Sequence, residues 1–138
     1  MMTADRRAET VRKPMSLSLN STGVVTGEGQ LVMETGSSIH LDALGSVAMT
    51  AAQSLDLDGQ IITKGGKISA NVQLDSGQTN FKGDLVLGAH ALLDVSGDVV
   101  YTPNSSGLLT GAVVDGGSIS VGVNNPSGQS NAAVKIET

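Results

Sequence analysis

The sequence predicts an all-β protein, a three-sided parallel β-helix (β-solenoid) with three strands per coil of about 21–24 residues. Apolar residues come in pairs two positions apart, in most pairs with a polar or small residue between them, which is the period of a half-buried strand. Successive pairs step along the chain by eight residues. The ladder consists of Leu31 and Met33, Ile39 and Leu41, Val47 and Met49, and Leu55 and Leu57.

The pairs also recur at a longer interval. Leu17 and Leu19 return 22 positions later as Ile39 and Leu41, Leu31 and Met33 return 24 later as Leu55 and Leu57, and Val47 and Met49 return 21 later as Ile68 and Ala70. An interval that spans three strands is the length of one coil of a three-sided β-helix. Glycine lies between the strands, where each corner bends the chain sharply, at positions 36, 45, 59, 88 and 97.

The first strand is predicted at Ser16–Leu19, followed by a turn over residues 20–23, and a last strand is predicted at Val134–Ile136. Two Gly-Gly-x-Ile-Ser elements, beginning at Gly65 and Gly116, are separated by 51 residues, which we interpret as two coils plus a small insertion. Alternation in the second half continues through Val99, Tyr101 and Val113, and the chain as a whole is expected to form five or six coils.

The domain organisation follows from composition. Residues 1–14 form a charged lead-in that is expected to be poorly ordered, and residues 15–138 form a single β-helix domain with loops near 102–107 and 124–131. Aromatic residues make up 1% of the chain and cysteine is absent, so the core is aliphatic and no disulfide forms. The net charge of −5 argues against a protein that binds the phosphate backbone of nucleic acids.

Candidate chemistry is sparse, and we expect no catalytic residue, no cofactor-binding residue and no metal ligand. His40 is expected to point outward from its strand, and His90 is interpreted as a surface histidine. Asp56 and Asp58 are expected on one outer face, about 7 Å apart, without an aromatic platform for sugars. Gly65-Gly66-Lys67 lacks the Ser or Thr and the helix of a phosphate-binding loop. The prediction is that the protein is not an enzyme.

Several segments resemble filamentous haemagglutinin-type large exoproteins, the adhesin passengers of two-partner secretion. The matching segments are residues 12–19, residues 36–42, residues 91–97 and the two Gly-Gly-x-Ile-Ser elements. The resemblance implies a right-handed parallel β-helix, export through an outer-membrane transporter and a role in adhesion. It brings no catalytic residue.

These observations favour a non-catalytic structural shaft, an internal β-helix segment of a secreted or cell-surface bacterial adhesin. Its expected partners are flanking coils of a longer parent chain or further copies stacked end to end, with any host ligand bound by other regions. The chain carries no recognisable signal peptide, so the alternative is a cytoplasmic, polymerising β-helix of the bactofilin type. A polysaccharide-active β-helix enzyme is the third and least supported class.

Overall fold

A computed structural model of the chain describes residues 13–23, 28–74, 83–125 and 132–138. Residues 1–12 of the predicted lead-in and residues 126–131 of the predicted second loop lie outside this range. The described residues contain strands and no helix. The all-β class that the sequence predicts is therefore confirmed for this part of the chain.

Thirteen short strands are described. They are β1 Ser16–Ser21, β2 Gln30–Met33, β3 Ser38–His40, β4 Ser46–Ala51, β5 Ser54–Leu57, β6 Gln60–Ile62, β7 Lys67–Gln73, β8 Leu85–Leu87, β9 Leu92–Asp94, β10 Asp98–Pro103, β11 Leu109–Val114, β12 Ser118–Asn124 and β13 Val134–Ile136. The predicted last strand is confirmed. The predicted turn after the first strand is shorter than expected, because β1 continues to Ser21.

The strands form three parallel sheets that the chain visits in rotation. The first sheet has the order β1-β4-β7-β12, the second has the order β2-β5-β8-β13 and the third has the order β3-β6-β9. We call one passage through the three sheets a circuit. The circuit that runs from β4 to the start of β7 takes 21 residues, as the recurrence of Val47 at Ile68 predicted.

The register of the parallel strands aligns apolar residues of one circuit with apolar residues of the next. Leu31 and Met33 pair with Leu55 and Leu57, as the 24-residue recurrence predicted. The 22-residue recurrence is wrong, because Leu17 pairs with Val47 and not with Ile39. The offset there is 30 residues, since eight residues separate β1 from β2 and lengthen that circuit.

One aliphatic core lies between the three sheets. Each strand turns alternate side chains inward, so β4 buries Val47, Met49 and Ala51 while Ala48 faces outward. The buried cluster also receives Leu55 and Leu57 from β5 and residues from β6, β7 and β8, namely Ile61, Ile68, Ala70, Val72 and Leu85. The buried cluster contains no aromatic ring, and aliphatic and methionine side chains fill this interior.

One pair of strands departs from the parallel pattern. β10 and β11 form an antiparallel hairpin between β9 and β12. Val99, Tyr101 and Val113, which continue the alternation in the sequence, lie in this hairpin and not in the parallel sheets. Thr102 and Pro103 of the predicted loop are in β10. The Gly-Gly-x-Ile-Ser elements are therefore one circuit apart, because Ile119 pairs directly with Ile68. The described stack is at most four strands deep, not five or six.

Candidate functional site

The corner between the second and third sheets carries a polar cluster that links three circuits. Asp58 follows β5, and its Oδ1 accepts a hydrogen bond from the backbone N–H of His90, at 2.8 Å. Its Oδ2 accepts a hydrogen bond from the hydroxyl of Thr35 and lies 3.3 Å from Nδ1 of His90. Gly88 leaves room for this carboxylate, because a β-carbon there would lie 2.2 Å from Asp58 Oδ1.

Electrostatics at this corner favour the charged form of Asp58. The hydroxyl of Thr35 and the N–H of His90 both donate to the carboxylate, and they lower the pKa of Asp58 below its ordinary value. The arrangement differs from a nucleophile, base and acid relay, because the carboxylate lies between the hydroxyl and the imidazole. The cluster therefore holds the corners of three circuits together.

A second polar cluster lies where the chain passes from the third sheet to the first. Lys64 Nζ donates to Asp94 Oδ2 at 2.6 Å and to Ser96 Oγ at 2.6 Å. The lysine and the backbone N–H of Ser96 together hold the pKa of Asp94 well below its ordinary range. Both partners are part-exposed, and the pair joins the second circuit to the third.

Two of the residues singled out from the sequence, Asp58 and His90, come together at the first polar cluster. His40 lies on β3 with its side chain exposed, as predicted, and Asp56 is exposed on β5. Asp58 lies at a corner just after β5, where its carboxylate contacts Thr35 and His90. Within the described ranges, no group of three or more His, Cys, Asp or Glu side chains is arranged to hold a metal ion.

Two ends of the stack form the candidate functional surface. We call the end bounded by β1, β2 and β3 the leading end, and the end bounded by β9, β12 and β13 the trailing end. Each of these strands is at the edge of its sheet within the described residues, so one side of its backbone lacks a neighbouring strand there. The ends are therefore where further strands would add.

The trailing end leaves part of the core open. Ile119 pairs with the buried Ile68 yet is 43% exposed, and Ile136 is 73% exposed. On the leading end, the corresponding inward residues Leu17, Leu31 and Ile39 are half-buried. Both ends thus present inward-facing aliphatic side chains, which is the surface that another circuit would cover.

Comparison with known proteins adds no family to this description, since no family model, no curated protein and no solved structure matches the chain. No helix in the described residues is long and apolar enough to cross a membrane.

Sequence reasoning missed both polar clusters. Asp58 and His90 are 32 residues apart, and Lys64 and Asp94 are 30 apart. No local motif marks either pair, and only the register of the circuits brings them together. A sequence analysis with the correct circuit length of 32 residues from β6 to β9 would have aligned residue 58 with residue 90, and residue 64 with residue 96, two positions after Asp94.

Proposed function

We propose that the chain is a non-catalytic structural shaft segment, built as a right-handed parallel β-helix, of a bacterial surface or secreted adhesin of the filamentous haemagglutinin type. The observation that supports it best is the rotation of the chain through three parallel sheets around one aliphatic core. In such a molecule each circuit adds about 4.8 Å of length through backbone hydrogen bonds. The function of the segment would be reach and display.

The polar corners support a structural role. Side chains of Thr35, Asp58, Lys64, Asp94 and Ser96 hydrogen-bond between circuits. On the outer face of the first sheet, Ser46 Oγ donates to Ser16 Oγ at 2.8 Å, and Asn124 Nδ2 donates to Gln73 Oε1 at 3.0 Å. These contacts run along the stacking direction, as a load-carrying segment requires.

Partners in this proposal are further circuits at the two ends. They are either flanking coils of a longer parent chain, exported by an outer-membrane transporter, or additional copies stacked end to end. The trailing end and the leading end could stack on each other, since the edge strands of each lack a parallel neighbour within the described residues and carry inward-facing aliphatic side chains.

A cytoplasmic, polymerising β-helix of the bactofilin type is the second candidate. The exposure of Ile119 and Ile136 favours it, because stacking of copies would cover both residues. A polysaccharide-active enzyme has the least support, since the carboxylate of Asp58 is engaged by Thr35 and His90 at a corner, while Asp56 is exposed on β5.

The experiment is negative-stain electron microscopy with sedimentation across protein concentration. The wild type is expected to associate end to end. Ile136→Lys should prevent this by placing an unpaired charge at the stacking surface, whereas Ser120→Lys, on the outer face of the same terminal circuit, should not. Regular unbranched filaments would favour the bactofilin type, and short rods would favour the shaft. A wild type that remains a strict monomer at high concentration would contradict stacking.

A further inference from the structure

The hairpin of β10 and β11 is a built element with a defined tip. Asn104 Oδ1 accepts hydrogen bonds from the backbone N–H groups of Ser106 and Leu108, and Gly107 takes a φ of +75°. The hairpin leaves the stack after Gly97 and returns at Gly116. Such ordering of the tip is typical of a specified structure and not of a plain connecting loop.

The two faces of the hairpin differ in chemistry. Directly paired residues of an antiparallel ladder share a face, and alternate residues along each strand share it too. One face consists of apolar residues and glycine, and we call it the apolar hairpin face: Val99, Tyr101, Pro103, Leu109, Gly111 and Val113. The opposite face carries Asp98, Thr102 and Thr110 together with Val100, Ala112 and Val114, of which Val100 and Val114 are half-buried.

The apolar hairpin face is open to solvent. Val113 is 79% exposed, Leu109 is 68% exposed and Tyr101 is 50% exposed. The ring of Tyr101 lies across Gly111, where a β-carbon would be 3.2 Å from Tyr101 Cε1. Together with Leu108 at the tip, these residues expose roughly 500 Å² of mostly apolar surface, which is near the largest patch of an ordinary monomer.

A two-stranded hairpin is only marginally stable in water when nothing packs on it. Among the described strands, β10 and β11 pair only with each other. A partner that packs on the apolar hairpin face would therefore stabilise the hairpin. From this we infer that the apolar hairpin face is a dimerisation surface, and that its occupant is the same face of a second copy of this chain. The inference is independent of the proposed shaft function.

Area and charge both fit a second copy. Two such faces packed together would bury about 1,000 Å² in total, at the lower limit of specific interfaces, which corresponds to a weak and reversible dimer. The chain has a net charge of −5, so two copies repel wherever their acidic surfaces meet. The apolar hairpin face carries no charged side chain, and contact there brings no carboxylates together.

The symmetry of this contact separates it from end-to-end stacking. A face that packs against itself makes a two-fold interface that closes at the dimer, whereas stacking of unlike ends continues without limit. A hairpin dimer would therefore join two stacks side by side. Because its contact is apolar, its dissociation constant should change little with salt.

The test is sedimentation equilibrium of the full chain and of three single lysine variants, from micromolar to millimolar concentration. Val113→Lys and Leu109→Lys place a charge on the apolar hairpin face at exposed positions, and each should weaken dimerisation at least about tenfold. Thr102→Lys, on the opposite face of β10, is the matched control and should dimerise like the wild type. Circular dichroism checks that all variants fold.

Three outcomes would overturn the inference. The first is a wild type without a dimer, and the second is a Val113→Lys variant that associates as the wild type does, as end-to-end stacking alone would produce. The third is a monomer that co-sediments with vesicles of phosphatidylcholine and loses this binding in Val113→Lys, which would make a lipid surface the occupant.

Discussion

Gly117 stacks on Gly66 so closely that a β-carbon on Gly117 would lie 1.7 Å from the Gly66 carbonyl oxygen. That oxygen accepts a hydrogen bond from the N–H of Ser118 at 3.0 Å. One circuit earlier, a β-carbon on Gly66 would lie 2.1 Å from the carbonyl oxygen of Gly45. The second glycine of each Gly-Gly-x-Ile-Ser element therefore lies where the neighbouring circuit leaves no room for a β-carbon, which explains why this glycine repeats at positions 66 and 117.

Gly117→Ala is the first test of this close approach. The clash is with backbone atoms, which cannot move aside as a side chain can, so we expect the free energy of unfolding to fall by more than about 2 kcal/mol. Gly116→Ala is the matched control, because its β-carbon would lie 3.6 Å from the nearest atom. Urea denaturation measures both, and equal losses would contradict the stacked corner.

The second prediction compares an inward-facing position of β5 with an outward-facing one. Leu57 is 1% exposed, and Leu57→Asp would bury a charge in the aliphatic core, so we expect a loss of about 3–5 kcal/mol in unfolding free energy. Asp56→Ala, one residue away on the outer face, should change it by less than about 0.5 kcal/mol. Equal melting temperatures for the two variants would refute the alternation.

The polar corners make stability depend on pH. The folded-state pKa values of Asp58 and Asp94 are lowered from the ordinary value of 3.8, so their contribution is fully present above that value and is lost as the pH falls below it. We expect the wild type to lose more stability than Asp94→Asn between neutral pH and pH of about 3. Denaturation of both across this range is the measurement.

The control for this pH series is Asp56→Asn, which removes a carboxylate from the exposed outer face of β5. It should keep the pH dependence of the wild type. If Asp94→Asn had the same pH profile as the wild type and Asp56→Asn, the hydrogen bonds from Lys64 and Ser96 to the carboxylate of Asp94 would not stabilise the folded state.

Alternation in the sequence was enough to find most strands. Leu55 and Leu57 are buried on β5, and the recurrence of Val47 at Ile68 gave the correct register, because that circuit has no extra residues. The recurrence of Leu17 failed because periodicity cannot count the eight residues that separate β1 from β2 in the sequence. Register depends on these lengths, and nothing local reports them.

The hairpin was missed for a different reason. Val99 and Tyr101 are two positions apart, as Leu55 and Leu57 are, and the period of two is the same in parallel and antiparallel strands. Treating β10 and β11 as stack strands made the 51-residue interval look like two circuits. The pairing of Asp58 with His90 was missed because the circuit from β6 to β9 is 32 residues long, whereas the sequence analysis expected 21–24.

The most direct test of the parallel register is a disulfide between cysteines placed at Ser69 and Ser120, in a chain that has no other cysteine. These residues pair on β7 and β12, so their Cα atoms should lie about 4.8 Å apart, within reach of a disulfide. Cysteines at Ser69 and Ser118 are the control, about 8 Å apart. We predict that only the first pair oxidises within one chain. Absence of that disulfide, or equal oxidation of both pairs, would contradict the stacking of β12 directly on β7.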